Sequence, residues 1–329
     1  VKINSNLTYG WTRLIQGIGI RSAVVDKYDD LFISGSYTRT VNFASDFGSN
    51  DYKTSNGDGD LFVMKVMSNG TYGWTKTFGG TESEYWCVVA VDNSGNIYLS
   101  GFFCASVNFG ADFGINDSRT SAGSMEVFVT KLSTNGSYVW TKQFYGTGQD
   151  QCYGITTDTS GNVYVTGYFY DTVNFGYDFG VTDNKTTMGD PDCFVMKINA
   201  NGTYGWTKCF HGLQNITGRV ITTDSNGDVF VGGSFKGTVD FGNDFGVVDE
   251  KTSSGGCDIF ITKLKADGSY VETKRLGSSY NDYVNDIVIF SNKIYFTGDF
   301  SGQGNFASDF GVTDNVNGGN DIFITKITQ

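Results

Sequence analysis

Tyr72-Gly73-Trp74-Thr75 decides the fold, because the stretch recurs along the chain. It occurs first as Tyr9-Gly10-Trp11-Thr12, returns as Tyr138-Val139-Trp140-Thr141 and Tyr204-Gly205-Trp206-Thr207, and degenerates at Tyr270-Val271-Glu272-Thr273. The period is 63 to 66 residues, the signature of an array of supersecondary units. Two further markers keep the same phase. Asp-Phe-Gly begins at Asp46, Asp112, Asp178, Asp244 and Asp309, and a glycine predicted to follow the second strand falls at Gly35, Gly101, Gly167, Gly233 and Gly298.

Each copy holds four strand-like runs. The first is short and aliphatic, as at 87–91, and runs into Asp-x-Ser/Asn-Gly, a turn signal. The second alternates and is aromatic, as at 162–169. An insert of about twenty residues precedes the third, such as 258–264, and an Asn-Gly hairpin leads into the fourth, as at 203–210. No stretch sustains a 3.6-residue period, so helix is predicted to be minor.

Four antiparallel strands repeated five times predict an all-β, five-bladed β-propeller, in which radial repetition manages the sheet edges. A parallel β-helix competes, but its coils are shorter and lack Asn-Gly hairpins. Residues 1–329 read as one propeller domain with repeats at approximately 15–80, 81–146, 147–212, 213–277 and 278–329 plus 1–14. Val1-Lys2-Ile3 reads as the end of a third strand, the fourth strand then runs through Trp11, and the last run is the third strand 321–327. The expectation is that the amino-terminal strand completes the last blade and closes the ring. The chain is expected to be processed or excerpted from a longer one.

The stretches Asp158-Thr-Ser-Gly-Asn-Val-Tyr-Val-Thr-Gly167, Gly256-Cys-Asp-Ile-Phe-Ile-Thr-Lys-Leu264 and Trp74-Thr-Lys-Thr-Phe-Gly-Gly80 resemble the SBBP family of β-propeller repeats over all five copies. The resemblance implies a propeller within large secreted or surface proteins and implies no single activity. Two departures are local: Val316-Asn317 replaces the Lys-Thr of the insert, and Glu272 fills the tryptophan column.

Composition narrows the function. There are 45 Gly and one proline, Pro191, and the net charge is −12. That charge leaves no basic footprint for phosphate backbones, so no nucleic-acid partner is expected. No apolar run reaches the length of a membrane helix. Cys87, Cys104, Cys152, Cys193, Cys209 and Cys257 occupy six different columns without a metal-type C-x-x-C spacing. Cys193 and Cys209 flank the Asn201-Gly202 hairpin and form the one disulfide candidate.

The recurrent residues have structural readings beside functional ones. Five copies of Asp-Phe-Gly do not make a kinase magnesium loop, which needs a paired catalytic loop; Phe47, Phe113, Phe179, Phe245 and Phe310 are expected to pack between blades. One acidic column, Asp60, Glu126, Asp192, Asp258 and Asp321, precedes the third strand. Another, in the insert, is Asp51, Asp117, Asp183, Asp249 and Asp314. No cofactor is required; the insert aspartates are the calcium candidates, with turn capping as the alternative.

Asn-x-Ser/Thr sequons at Asn6, Asn69, Asn116, Asn135, Asn184, Asn201 and Asn215 are glycosylation candidates, four of them in the hairpin column where Asn-Gly is also the preferred turn. Tyr145, Tyr170 and Tyr177 lie outside the repeat columns and are where a glycan would stack. With a single histidine, His211, a Ser-His-Asp or multi-histidine metal site is not expected.

The sequence therefore predicts a secreted or cell-surface scaffold, not an enzyme. It is expected to be a glycoprotein that self-associates into arrays or fibres, or binds other surface proteins or glycans. A lectin-like propeller is the alternative, and a five-bladed glycosidase acting through a carboxylate pair the third reading.

Overall fold

The computed structural model describes residues 1–4, 6–291, 293–305, 308–311 and 313–328. They are all-β, with paired strands antiparallel throughout and helix confined to five short 3-10 turns. The chain divides into two compact units, Val1–Lys142 and Gln143–Gln329.

The first unit begins with a two-stranded hairpin, Lys2–Ile3 against Tyr9–Trp11. A four-stranded sheet follows, made of Ile18–Val25, Leu31–Tyr37, Asp60–Val66 and Tyr72–Phe78 in chain order. The next repeats it with Cys87–Val91, Ile97–Phe103, Glu126–Leu132 and Tyr138–Gln143.

In the second unit the third and fourth repeats keep this order. They are joined into one sheet by the end of Tyr204–Gly212, where His211 pairs with Asp240. The last repeat is a three-stranded sheet of Tyr283–Phe290, Lys293–Asn305 and Asn315–Thr328.

The marker glycine lies inside the second strand instead of after it. Gly101 pairs with Cys87 across a crowded edge, and a β-carbon there would stand 1.8 Å from the Trp86 carbonyl oxygen. Any side chain would push the first strand out of the ladder. The predicted Asp-x-Ser-Gly turn forms as read: Asp158 Oδ1 accepts the amides of Ser160 and Asn162, each at 2.9 Å.

Packing runs from sheet to sheet. Leu61 and Val63 of one third strand share a core with Cys87 and Val89 of the following first strand. Ile259 and Ile261 pack likewise with Val284 and Ile287. Phe103, Phe109 and Phe128 form a ring cluster at centroid distances of 4.8 to 6.4 Å, which adds edge-on aromatic attraction to apolar burial.

Candidate interaction site

Within each unit the recurrent residues stitch one sheet to the next. Each Asp-Phe-Gly is a 3-10 turn closed by a left-handed glycine. Its aspartate accepts an amide from the preceding fourth strand: Leu14 to Asp46 (3.0 Å), Thr77 to Asp112 (3.1 Å), Gln143 to Asp178 (2.9 Å), Cys209 to Asp244 (3.1 Å) and Arg275 to Asp309 (3.0 Å). Its phenylalanine meets the tyrosine of its own fourth strand, with Phe113 and Tyr138 at 5.5 Å, and the preceding Phe78 at 5.9 Å. The expected packing between sheets is what these residues do.

The insert aspartates face inward and are engaged. Tyr72, Tyr138, Tyr204 and Tyr270 donate their hydroxyls to Asp51, Asp117, Asp183 and Asp249. Burial and the neighbouring carboxylate push these phenols up. Lys53 spans Asp51 (3.8 Å) and Asp112 (2.9 Å), and Lys251 spans Asp249 (2.9 Å) and Asp309 (3.5 Å), so one cation ties an insert to the next repeat. The Asp314 amide donates to Asn305 at 2.8 Å. Calcium needs six or more oxygens, and Asp51, Asp117, Asp183 and Asp249, one per repeat and each already shared between a phenol and a cation, do not fit it. No group of three or more metal-ligating side chains occurs among the described residues.

In the acidic column that precedes the third strand, Asp60, Glu126, Asp192 and Asp258 are buried and Asp321 is exposed. Asp60 accepts the Asn56 amide, and Met188 and Ser254 donate likewise to Asp192 and Asp258. Its side-chain partners differ between repeats: His211 lies 2.7 Å from Asp192, and Arg275 lies 2.8 Å from Asp258. Burial pushes the Asp258 carboxyl up to about 6 despite the arginine. Glu84 is buried beside this column, its Oε1 has no partner, and desolvation pushes it up to about 8. Glu84 drew no attention in the sequence, although at the 66-residue period it shares a column with the buried Asp150 and Asp282, which Ile216 interrupts.

All six cysteines are free thiols. Cys193 stands opposite Phe210 and Cys209 opposite Phe194, so the two thiols point to opposite faces of their sheet. The disulfide expected across this hairpin is therefore corrected: the pleat separates residues that looked adjacent in sequence. All seven sequon asparagines are exposed. Asn69 and Asn201 also accept the amides and hydroxyls of Thr71 and Thr203, and Asp267 does the same for Ser269 in the repeat without a sequon. Tyr145 and Tyr177 stack at 4.6 Å and 20° with both rings exposed, whereas Tyr170 meets Tyr168 edge-on.

The amino-terminal strand, read from the sequence as a fourth strand, makes fourth-strand contacts in the first unit. Trp11 lies against the hairpin glycine Gly70, as Trp206 lies against Gly268. Lys2 donates to the Ser68 carbonyl at 3.0 Å, as Lys197 donates to Ala266 at 2.9 Å. Arg13 sits 4.9 Å from the Phe47 ring centre, as Lys208 sits 4.9 Å from that of Phe245. Residues 9–14 thus occupy a fourth-strand position on the first full sheet, with Lys2–Ile3 paired beside Tyr9–Trp11. In the other unit, Ile322 and Ile324 of the last third strand are 79% and 77% exposed, although their counterparts Leu61 and Val63 are fully buried.

Residues 139–168 match the family model described as SBBP, beta-propeller repeat. An uncharacterized WD repeat-containing protein of Acanthamoeba polyphaga mimivirus is 27% identical over 195 residues, 53% of this chain and 14% of that protein. Regulatory protein FlaEY of Caulobacter vibrioides is 25% identical over 241 residues, 71% of this chain and 24% of that protein. The chain thus spans less than a quarter of the length of these curated relatives. Among solved structures, a GH43 beta-xylosidase/alpha-arabinofuranosidase from a compost microbial metagenome aligns with 11% identity and a TM-score of 0.39, covering 95% of this chain and 91% of that one. A GH43 beta-1,3-galactosidase aligns with 8% identity and a TM-score of 0.36, covering 90% and 88%.

Proposed function

We propose that this chain, which carries an SBBP β-propeller repeat, is a non-enzymatic interaction scaffold with one five-bladed propeller over residues 1–329. In this reading an amino-terminal strand completes the fifth blade and closes the ring. The observation that carries the closure is a matched pair of exceptions. The fourth-strand indole normally lies on the hairpin glycine of the next repeat, as Trp74 lies on Gly136. The one fourth strand without tryptophan carries Glu272, and the one hairpin without glycine carries Leu7, at φ 63°. The two exceptions meet only if the hairpin at residues 2–11 belongs to the repeat after the fourth.

The recurrent side chains support a scaffold because they are consumed in holding neighbouring sheets together, and five near-copies offer no unique catalytic constellation. An extracellular or cell-surface setting, with glycans at the seven sequons, is favoured by the exposure of every sequon asparagine. Hydrogen exchange tests the closure. Amides of residues 321–327 are expected to be protected in the full chain and to exchange freely once residues 1–14 are deleted. Equal exchange in both proteins would refute it.

A carbohydrate-binding reading has one observation in its favour. Tyr145 and Tyr177 break the repeat and stack in the open, and an outer ring face offers a platform for the C–H face of a sugar. Saturable binding on a glycan array that Tyr177→Ala abolishes would promote this reading over a purely structural one.

A further inference from the structure

The first strands of the second unit each carry a β-bulge, and the bulges gather side chains that the repeat does not copy. The ladder skips one residue between Cys152 and Gly154, one between Gly218 and Val220, and one between Val284 and Asp286. The skipped residues are Tyr153, Arg219 and Asn285, three chemistries in one column. A bulge frees its extra residue from pairing and re-aims the side chain, and bulges concentrate beside functional sites for that reason. Successive bulges lie close together: a β-carbon on Gly154 would stand 3.2 Å from the Arg219 carbonyl oxygen. The Arg219 guanidinium lies 6.0 Å from the Tyr153 ring centre and 5.2 Å from that of Tyr283, so side chains of the third, fourth and fifth repeats meet around it. The aromatic surface continues from Tyr153 to Tyr168 and from Tyr168 to Tyr170, with 5.8 Å between centroids at each step. Arg219 and Lys236 are exposed, and neither has a carboxylate partner among the described residues. Burial pushes the Cys257 thiol up while Lys236, the Tyr283 hydroxyl and Arg219 pull against it, so the two cations share one neighbourhood. The carboxylates nearby are buried and bonded elsewhere: Asp150 accepts the Tyr170 amide at 3.0 Å, and Asp282 accepts those of Ser278 at 2.7 Å and Ser301 at 3.1 Å.

We propose that Arg219, with Tyr153, Tyr168 and Tyr283, binds an acidic saccharide, its carboxylate paired with the guanidinium and its sugar rings resting on the tyrosines. The inference rests on the carbohydrate-binding reading and gives it a ligand class, on residues other than Tyr145 and Tyr177. A guanidinium held against ring faces spends none of its N–H donors, and its planar fork matches the two oxygens of a carboxylate. Each tyrosine offers an apolar face and a hydroxyl, the combination that meets both the C–H and the O–H groups of a sugar. The net charge of −12 repels a polyanion at long range, which favours isolated carboxylates over nucleic acid or a densely sulfated chain. An acidic peptide answers the cation alone, whereas a sugar acid answers the cation and the row of phenols together.

Calorimetric titration of the full chain with trigalacturonate and with sialyllactose, each beside its neutral methyl ester, isolates the charge without altering the protein. At least one of the acids is expected to bind saturably and its ester about tenfold more weakly or worse, the loss of a charge-assisted hydrogen bond. Arg219→Gln is expected to weaken the acid by a similar factor at an unchanged melting temperature, Tyr177→Ala to leave it unaffected, and the bound acid to slow alkylation of Cys257. Absence of binding by both acids, equal affinity for acid and ester, or full affinity in Arg219→Gln would overturn the proposal. Tighter binding of triglutamate than of either acid would overturn it in favour of an acidic peptide. Binding of the esters that depends on Tyr177 and not on Arg219 would overturn it while leaving the carbohydrate-binding reading standing.

Discussion

The indole of Trp74 lies against the hairpin glycine Gly136, where φ is +80°: a β-carbon at Gly136 would stand 2.7 Å from Cε2 of the ring. The Asn-Gly turn therefore serves two masters. Its glycine supplies the left-handed backbone of the hairpin and the bare surface on which the neighbouring sheet rests. Gly136→Ala is expected to cost about 2 kcal/mol, more than Gly114→Ala, where φ is +69° and nothing lies within 4 Å. Denaturant midpoints of the two variants measure the difference. Equal losses would show that the indole contact contributes nothing.

Glu84 makes stability depend on pH in an unusual direction. Its folded carboxyl titrates at about 8, against 4.5 in the unfolded chain, because burial leaves Oε1 without a partner. Between those values the folded state binds the extra proton. Stability is thus fully present below pH 4.5 and is lost as pH rises towards 8, by a few kcal/mol. Glu84→Gln should flatten that slope in melting curves taken from pH 5 to 9. An unchanged slope would show that the carboxyl reaches solvent or a cation.

Arg275 neutralises the fully buried Asp258 at 2.8 Å. Arg275→Met is expected to cost about 3 to 5 kcal/mol, because it strands a buried charge, and to raise the Asp258 carboxyl further above about 6. Arg275→Met combined with Asp258→Asn should recover much of the loss. Failure of that rescue would locate the damage in the lost packing of the arginine stem.

Thiol chemistry checks the cysteine assignment. Six thiols are expected to react in denaturant without reductant, and in the native protein only Cys104 and Cys257, which are partly exposed, should react at a measurable rate. Burial pushes the Cys193 and Cys209 thiols up and slows them further. A denatured count of four would mean a disulfide that the register across Asn201-Gly202 does not provide.

Chelation should leave the melting temperature unchanged, since Asp51, Asp117 and Asp249 already serve a phenol and a cation. A rise of several degrees on adding calcium would reassign the insert as a metal loop.

The sequence by itself determined the unit and its count, because local chemistry writes directly into spacing. Alternating runs specify strands, Asn-Gly specifies the hairpin at Gly70 and Gly136, and Asp158 specifies the turn it caps. The same reading placed the Asp-Phe-Gly phenylalanines between sheets. Tertiary structure decided which side chains meet. The pleat set Cys193 and Cys209 on opposite faces, crowding at the Trp86 carbonyl drew Gly101 inside its strand, and burial singled out Glu84. It also decided that the insert aspartates turn inward to Tyr72 and Tyr138. These outcomes depend on residues a full repeat or a sheet apart, and no local pattern encodes the direction in which one sheet presents its edge to the next.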